Sequence, residues 1–425
     1  MKVYKFGGAS VKDAEGLRNL AKIIAAEADN LIVVVSAFGK TTNALEKVLV
    51  SWLAEDGKYN LLLDEVYAYH LSVISDLFGS DSAAKGKIEI SFAVLRNYLL
   101  TSNRKLYDYE YDQVVSYGEI WSTTIVAEFL KKSDHNVIWC DIRENLLTDD
   151  TYRDANVLWD ESNRKLHNTF DFTRNKIYVT QGFIGSTAAG DITTLGREGS
   201  DYTAAILANM FDAESLVVWK DVPGILNADP KWLPEARKMD EISYKEAVEM
   251  SFSGAKVIHP KTIKPLHNKN IPLIVKSFLT PKGNGTVIKA DATLKEIMPV
   301  FIKKENQILI SITPIDFSFV MGDNLSRIFH SFIKHGIKVN LVEASAVNID
   351  VCVDDDRGKV SKLISDLKIE YSAVYNEKIE MLTIRHYTPD AIHLITKGRE
   401  ILLEQRTRST VRFVVREEIA SLRSQ

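Results

Sequence analysis

Residues 3–35 read VYKFGGASVKDAEGLRNLAKIIAAEADNLIVVV, and this stretch decides the fold class. Val3 to Phe6 is a short strand that Gly7 and Gly8 break. Asp13 to Ala28 follows as a helix. Leu31 to Val35 is an apolar run rich in β-branched residues, which reads as a buried strand. Strand, helix and strand at this spacing form a βαβ unit with parallel strands and a right-handed crossover. The alternation continues outward. Thr42 to Thr101 has apolar residues at helical spacings, Ser122 to Lys131 is a helix, and Val137 to Cys140 is a strand. Strands at Ile177 to Ile184, Ser215 to Trp219 and Ile271 to Phe278 then alternate with helices at Asp201 to Met210 and Glu241 to Met250. The pattern predicts one α/β domain with helices on both faces of a mainly parallel sheet.

The rhythm changes after TPKGNGTV, Thr280 to Val287, where Pro281, Gly283 and Gly285 mark a boundary. Gln307 to Thr313 is a strand, and Asn324 to His335 is a helix with Gly336 as its C-cap. Strands at Val339 to Glu343 and Val347 to Val353 follow, then a helix at Gly358 to Leu367 and a strand at Tyr371 to Val374. That is β-α-β-β-α-β, the ferredoxin-like order. A shorter round comes next: strand Met381 to Arg385, helix Pro389 to Thr396, and strands Glu400 to Glu404 and Thr410 to Val415. The expected organisation is a catalytic domain over 1–285 and two small modules over 300–378 and 379–425.

With 425 residues, 45% hydrophobic and 26% charged, the composition is that of a soluble globular chain. Lys+Arg 53 against Asp+Glu 57 leaves a net charge of −4, which argues against a dedicated nucleic-acid binder. The two cysteines, Cys140 and Cys352, fit a reducing compartment and read as apolar strand residues. The start, MKVYKFGG, lacks the apolar core of a signal peptide. LIVVV is far shorter than the roughly 20 residues of a membrane helix. A cytoplasmic protein with no membrane partner is expected.

Several segments have the chemistry to bind anions. KFGGAS, Lys5 to Ser10, sits at a strand-to-helix junction, where glycines let the backbone approach a phosphate and amides face it. A tight turn with a surface lysine accounts for it equally well. VVVSAFGKTTN, Val33 to Asn43, puts Ser36 at the carboxyl end of a strand, followed by hydroxyls at Thr41 and Thr42. Ligands of open α/β sheets bind at such ends, although loop and cap chemistry explains the same residues. TTLGREGSDYTA, Thr193 to Ala204, combines Arg197, which can clamp a carboxylate, with Ser200 and Asp201 at a helix start. Helix capping explains Ser200 and Asp201 but not an arginine between glycines. VVWKDVPGILNADPK, Val217 to Lys231, offers Lys220, Asp221 and Lys231, and SGAKVIHP, Ser253 to Pro260, offers Lys256. His259 reads as a structural histidine. Neither GxxxxGK[ST] nor GxGxxG occurs, so a P-loop or a dinucleotide fingerprint is excluded. HExxH and paired CxxC motifs are absent, and no protein metal site is expected.

In this order the segments are distinctive. KFGGAS, VVVSAFGKTTN, SYGE (Ser116 to Glu119), VTQGFIGS, TTLGREGSDYTAA, VVWKDVPGI, Asp229–Pro230 and GAKVIHP resemble those of the aspartokinases, the aspartate kinases of the amino-acid kinase family. The resemblance implies a three-layer α/β/α kinase domain followed by ferredoxin-like ACT modules. It implies ATP-dependent phosphorylation of L-aspartate to 4-phospho-L-aspartate, with Mg²⁺ bound through the nucleotide phosphates. It implies a monofunctional enzyme of amino-acid biosynthesis, a homodimer through the ACT-like modules, and an amino-acid effector. Lys5 and Asp201 are then catalytic. Gly7, Gly8, Ser10, Lys220, Asp221, Lys231 and Lys256 are on the ATP side. Ser36, Thr42, Glu119, Arg197 and Ser200 bind aspartate, with Arg197 on the α-carboxylate and Glu119 on the amino group.

The physical reading agrees with that assignment. The attacking carboxylate is already ionised near neutrality, so no general base is needed. Positioning and positive charge do most of the work of phosphoryl transfer. The departures are Glu198 and Lys220, where the family usually has Gly and Thr, and Leu226, where an aromatic is common. Lys231 stands where some members have Arg, and Ser253 replaces an aromatic before Gly254. Asn340 and Ala346 replace carboxylates common in lysine-inhibited relatives, so weak lysine feedback is expected. Two other readings compete: a kinase of acetylglutamate, glutamate or UMP, and a degenerate kinase that only senses amino acids. SYGE, the helical insertion after Thr42 and the ACT-like tail weigh against the first. Intact Lys5, Arg197 and Asp201 weigh against the second.

Overall fold

The structure is a computed structural model that describes residues 1–425 except 28–29, 80–81, 134–135, 175, 256–257, 293–297 and 418–425. The chain divides into two compact units. One is Met1–Ile225, Lys238–Val248 and Val257–Leu294, and the other is Leu226–Arg237, Glu249–Lys256 and Lys295–Gln425.

The larger unit is built on an eight-stranded sheet. Its strands lie in the order Val137–Cys140, Ile177–Gln181, Leu31–Val35, Lys2–Phe6, Ser215–Lys220, Leu273–Ser277, Thr286–Lys289 and Glu241–Ser243. The pairings are parallel except that of Thr286–Lys289 with Leu273–Ser277. Every residue of Leu31–Val35 is buried, as its continuous apolar run requires. Lys2–Phe6 pairs with Leu31–Val35 on one side and with Ser215–Lys220 on the other. The chain therefore leaves this strand in one direction across the sheet and later returns on its opposite side. That is a topological switch point, where a crevice opens outside the carboxyl ends of the strands.

The first crossover helix runs Ala14–Ala25, shorter than the expected Asp13 to Ala28, and Ala28 lies outside the described residues. Asp13 caps it by accepting the Gly16 N–H at 2.8 Å. The expected strand Ile177 to Ile184 ends at Gln181, and Ile184–Ser186 instead pairs antiparallel with Ile192–Thr194. Phe183, at φ 71°, makes the break, a conformation that a phenylalanine's sequence neighbours do not announce. The expected helix at Glu241 opens with the strand Glu241–Ser243 and becomes helical at Tyr244. The helix expected at Ser122 begins at Tyr117 and so carries Glu119 in its first turn.

The smaller unit holds a six-stranded antiparallel sheet, ordered Val339–Ala344, Ile349–Asp354, Val300–Pro314, Tyr371–Arg385, Thr410–Glu417 and Arg399–Arg406. Two of its strands are longer than the sequence suggests. The strand expected at Gln307 begins at Val300, and the strands expected at Tyr371 and Met381 are the two ends of one strand. Val300–Lys304 pairs with Met381–Arg385, so the last ferredoxin-like round takes a strand from ahead of the preceding round. The polar KKENQ stretch and a register shift between Lys304 and Gln307 hide this continuity from pattern reading. One face of the sheet packs Ile308, Ile310 and Ile312 against Phe332 and Leu363. Among the described residues, no helix is long and apolar enough to cross a membrane.

Candidate active site

The crevice at the switch point is a cleft of about 410 Å³. Its floor begins with Lys5, on the central strand, and Asp201, in the first turn of helix Gly199–Met210. Lys5 Nζ lies 2.6 Å from Asp201 Oδ1, and Lys220 Nζ lies 3.7 Å from Oδ2. Asp201 is only 3% exposed. Burial alone would raise its pKa, but the charges of Lys5 and Lys220 outweigh that, and the net shift is downward. The carboxylate is thus a fixed anion that holds two ammonium groups beside the cleft.

The glycines have steric reasons. A Cβ on Gly8 would run into Ala37 O and lie 3.0 Å from Gly39 O. The KFGG and SAFG loops are therefore in backbone contact, with the Gly39 N–H donating to Gly8 O at 3.0 Å. A Cβ on Gly182 would sit 2.5 Å from Ser200 Cβ, so glycine there lets the VTQGFIGS turn press on the helix start. The Phe183 N–H donates to Thr203 Oγ1 at 2.9 Å and pins the same contact.

Glu119 is 3% exposed, and its Oε1 accepts the Ala37 N–H at 3.3 Å. Its Oε2 is buried with no hydrogen-bond partner. Burial pushes its pKa up to about 8, against weaker downward pulls from the Ala37 amide, its own amide and Lys5. Glu119 lines the cleft, and a buried carboxyl oxygen left without a partner there favours a ligand group that can donate to it. Glu198, at φ 54°, also lines the cleft, and its Oε2 accepts the His259 N–H at 2.9 Å.

Of the candidate residues, Lys5, Gly7, Gly8, Ser10, Ser36, Thr42, Glu119, Ser200, Asp201, Lys220 and Asp221 line this one cleft. Arg197 does not line it. Its side chain is exposed, on the loop between cleft-lining Gly196 and Glu198. Lys231 is exposed and belongs to the smaller unit. Lys256 lies outside the described residues. Ala37 and Phe183 line the cleft without having been singled out individually. Their contributions are a backbone amide and a left-handed turn, and neither leaves a residue-type signal. Among the described residues, no group of three or more His, Cys, Asp or Glu is placed to hold a metal ion.

A sheet switch point with lysines paired to one buried carboxylate and glycine loops beside them defines a phosphate-handling α/β enzyme. Residues 1–277 match the amino acid kinase family. The chain is 32% identical over 391 residues to lysine-sensitive aspartokinase 3 of Escherichia coli K12, covering 89% of this chain and 84% of that protein. It is 30% identical to a bifunctional aspartokinase/homoserine dehydrogenase of Arabidopsis thaliana over 87% of its own length, and spans 42% of that longer protein. Its fold matches that of E. coli aspartokinase III with aspartate and ADP at a TM-score of 0.83 and 27% identity, covering 98% of this chain and 96% of that one. The same enzyme with lysine and aspartate matches at 0.80. The chain belongs to the amino acid kinase family and, within it, to the aspartokinases, the ATP-dependent kinases of aspartate.

Proposed function

We propose that this chain transfers the γ-phosphoryl group of MgATP to the side-chain carboxylate of L-aspartate, giving 4-phospho-L-aspartate. The observation that carries the reading is the Lys5–Asp201–Lys220 cluster at the carboxyl ends of the central strands. Asp201 orients both ammonium groups, and Lys5 meets the charge on the phosphoryl group in flight. Gly7, Gly8 and Ser10 let backbone amides approach the phosphates, with Lys220 and Asp221 on the same side. Ser36, Thr42 and Ser200 hold aspartate by hydroxyl contacts. Glu119 takes the amino group, whose positive charge favours the ionised form of a carboxyl that is otherwise pushed up to about 8. Asp201 is already engaged by two lysines, so Mg²⁺ fits this site only as a partner of the nucleotide phosphates. Bound there, it would neutralise phosphate charge. Lys231 and Lys256 are assigned to ATP by resemblance alone. ADP release should depend on aspartate and stay at background with glutamate, N-acetylglutamate or UMP as acceptor. Turnover with one of these and not with aspartate would overturn the reading.

Arg197 is assigned to the α-carboxylate by resemblance and by its place between cleft-lining Gly196 and Glu198; its side chain would have to turn inward to make the contact. Arg197→Ala should raise the KM for aspartate by about tenfold to a hundredfold and leave the KM for ATP nearly unchanged. Lysine at this position should recover only part of the loss, because it cannot fork. A shift in the ATP KM instead would move Arg197 to the nucleotide side.

The antiparallel unit is read as the regulatory part. Ile315, Phe317, Phe319 and Met321 are exposed on it, which supports a homodimer through these modules. Asn340 is already occupied: Oδ1 accepts from Lys304 Nζ at 2.8 Å, and Nδ2 donates to Gln307 Oε1 at 2.8 Å and to Asp354 Oδ1 at 3.0 Å. Glu343, an alternative carboxylate for a bound lysine, accepts from Gln405 at 3.0 Å. Lysine is therefore expected to inhibit weakly or not at all. Half-inhibition at sub-millimolar lysine, with aspartate subsaturating, would contradict this and identify lysine as the amino-acid effector. The two cysteines are free and buried, which fits a cytoplasmic enzyme.

A further inference from the structure

Glu198 breaks two local rules. Its φ of 54° is a conformation that glycine accepts freely and glutamate does not. It also puts a carboxylate into the wall of a cleft that, on the reading above, takes two anions. Backbone strain of this kind persists only where the surroundings hold it, and it gathers at functional sites.

The holding contact is well defined. Glu198 Oε2 accepts the His259 N–H at 2.9 Å. His259 is the N-cap of helix Pro260–Asn268, with its ring Nδ1 accepting the Lys261 N–H at 3.2 Å. Glu198 is itself the N-cap of helix Gly199–Met210, where its carbonyl accepts the Asp201 N–H at 3.0 Å and the Tyr202 N–H at 3.1 Å. One residue thus joins the starts of two helices, and the backbone of Asp201 hangs directly from it.

We propose that Glu198 is a positioning residue whose carboxylate latches the Gly196–Gly199 loop onto the start of helix Pro260–Asn268, fixing before binding the loop that meets L-aspartate. This rests on the aspartate kinase reading. The partner is a backbone amide, so the latch needs an acceptor oxygen and not a charge. Glutamine supplies that oxygen. Alanine and glycine do not, and glycine also relieves the strained φ.

The test compares Glu198→Gln, Glu198→Ala and Glu198→Gly in the full chain by steady-state kinetics, melting temperature and amide hydrogen exchange over residues 196–201. Alanine should raise the KM for aspartate by about 5- to 20-fold with little change in the KM for ATP. Glutamine should restore it to within about twofold, given the equivalent acceptor. Glycine should behave like alanine in KM while melting no lower than wild type. Exchange over the loop should quicken with alanine and not with glutamine. Glutamine as damaging as alanine would make charge the operative property and overturn the latch. So would a lower melting temperature with unchanged KM and exchange. If the wild type shows no aspartate-dependent turnover while exchange still separates alanine from glutamine, the aspartate reading fails and the latch itself stands.

Discussion

Lys5→Ala is expected to lower kcat by about 10²–10³-fold while the KM for ATP moves only a few fold. Lys5, on the central strand of the sheet, has its Nζ held at 2.6 Å from the buried carboxylate of Asp201, so its position is set before substrate arrives. Preorganised charge of this kind acts on the transition state more than on the bound nucleotide, whose phosphates, on the proposed reading, also meet backbone amides and Lys220. Removing it also leaves Asp201 facing Lys220 alone at 3.7 Å. The substitution should therefore flatten kcat and spare binding. Steady-state kinetics over a matrix of ATP and aspartate concentrations reads the split. A variant that kept more than about half of the wild-type kcat would remove Lys5 from the chemistry.

Gly8→Ala is expected to abolish most activity by a different route. Its Cβ would press on two backbone carbonyls, of Ala37 and Gly39, neither of which can rotate away as a side chain would. Relief requires parting the KFGG and SAFG loops and breaking the Gly39 N–H bond to Gly8 O. Overpacking of this sort costs about 1–3 kcal/mol, and the displaced loop would lose its approach to the phosphates. The combined expectation is a fall in kcat/KM of about 10²-fold or more for both substrates, with a lower melting temperature. Gly7→Ala is the internal comparison. Its Cβ meets only Lys5 Nζ, at 3.6 Å, so it should melt like the wild type. Equal melting and equal activity of Gly8→Ala and the wild type would show that the two loops do not touch as described.

The parts of this molecule legible in the sequence are those encoded locally. The βαβ start could be read because Leu31–Val35 is apolar at every position and Gly7–Gly8 ends the strand before it. Cleft residues such as Lys5, Ser36 and Asp201 could be read because each sits at a strand end or helix start. The pairing of Lys5 with Asp201 could not be read from spacing, since it depends on which strands become neighbours. Four other features were hidden for physical reasons. Gly182 looks like an ordinary turn residue until Ser200 is packed against it. The register shift at Lys304–Gln307 disguises one long strand as loop and strand. Arg197 has the right chemistry and the right loop, yet the side chain stands outside the cleft wall, because position along a loop does not fix a long side chain's rotamer. Glu198 reads in the sequence only as a departure from the family's usual Gly, and only the folded chain supplies its amide partner.

The most direct test of the central claim is the chemical identity of the product. Wild-type protein is incubated with L-aspartate, ATP, Mg²⁺ and hydroxylamine, and both ADP and hydroxamate are measured. The account predicts β-aspartyl hydroxamate formed in step with ADP and lost in Lys5→Ala. ADP release without hydroxamate, or hydroxamate formation undiminished in Lys5→Ala, would contradict it.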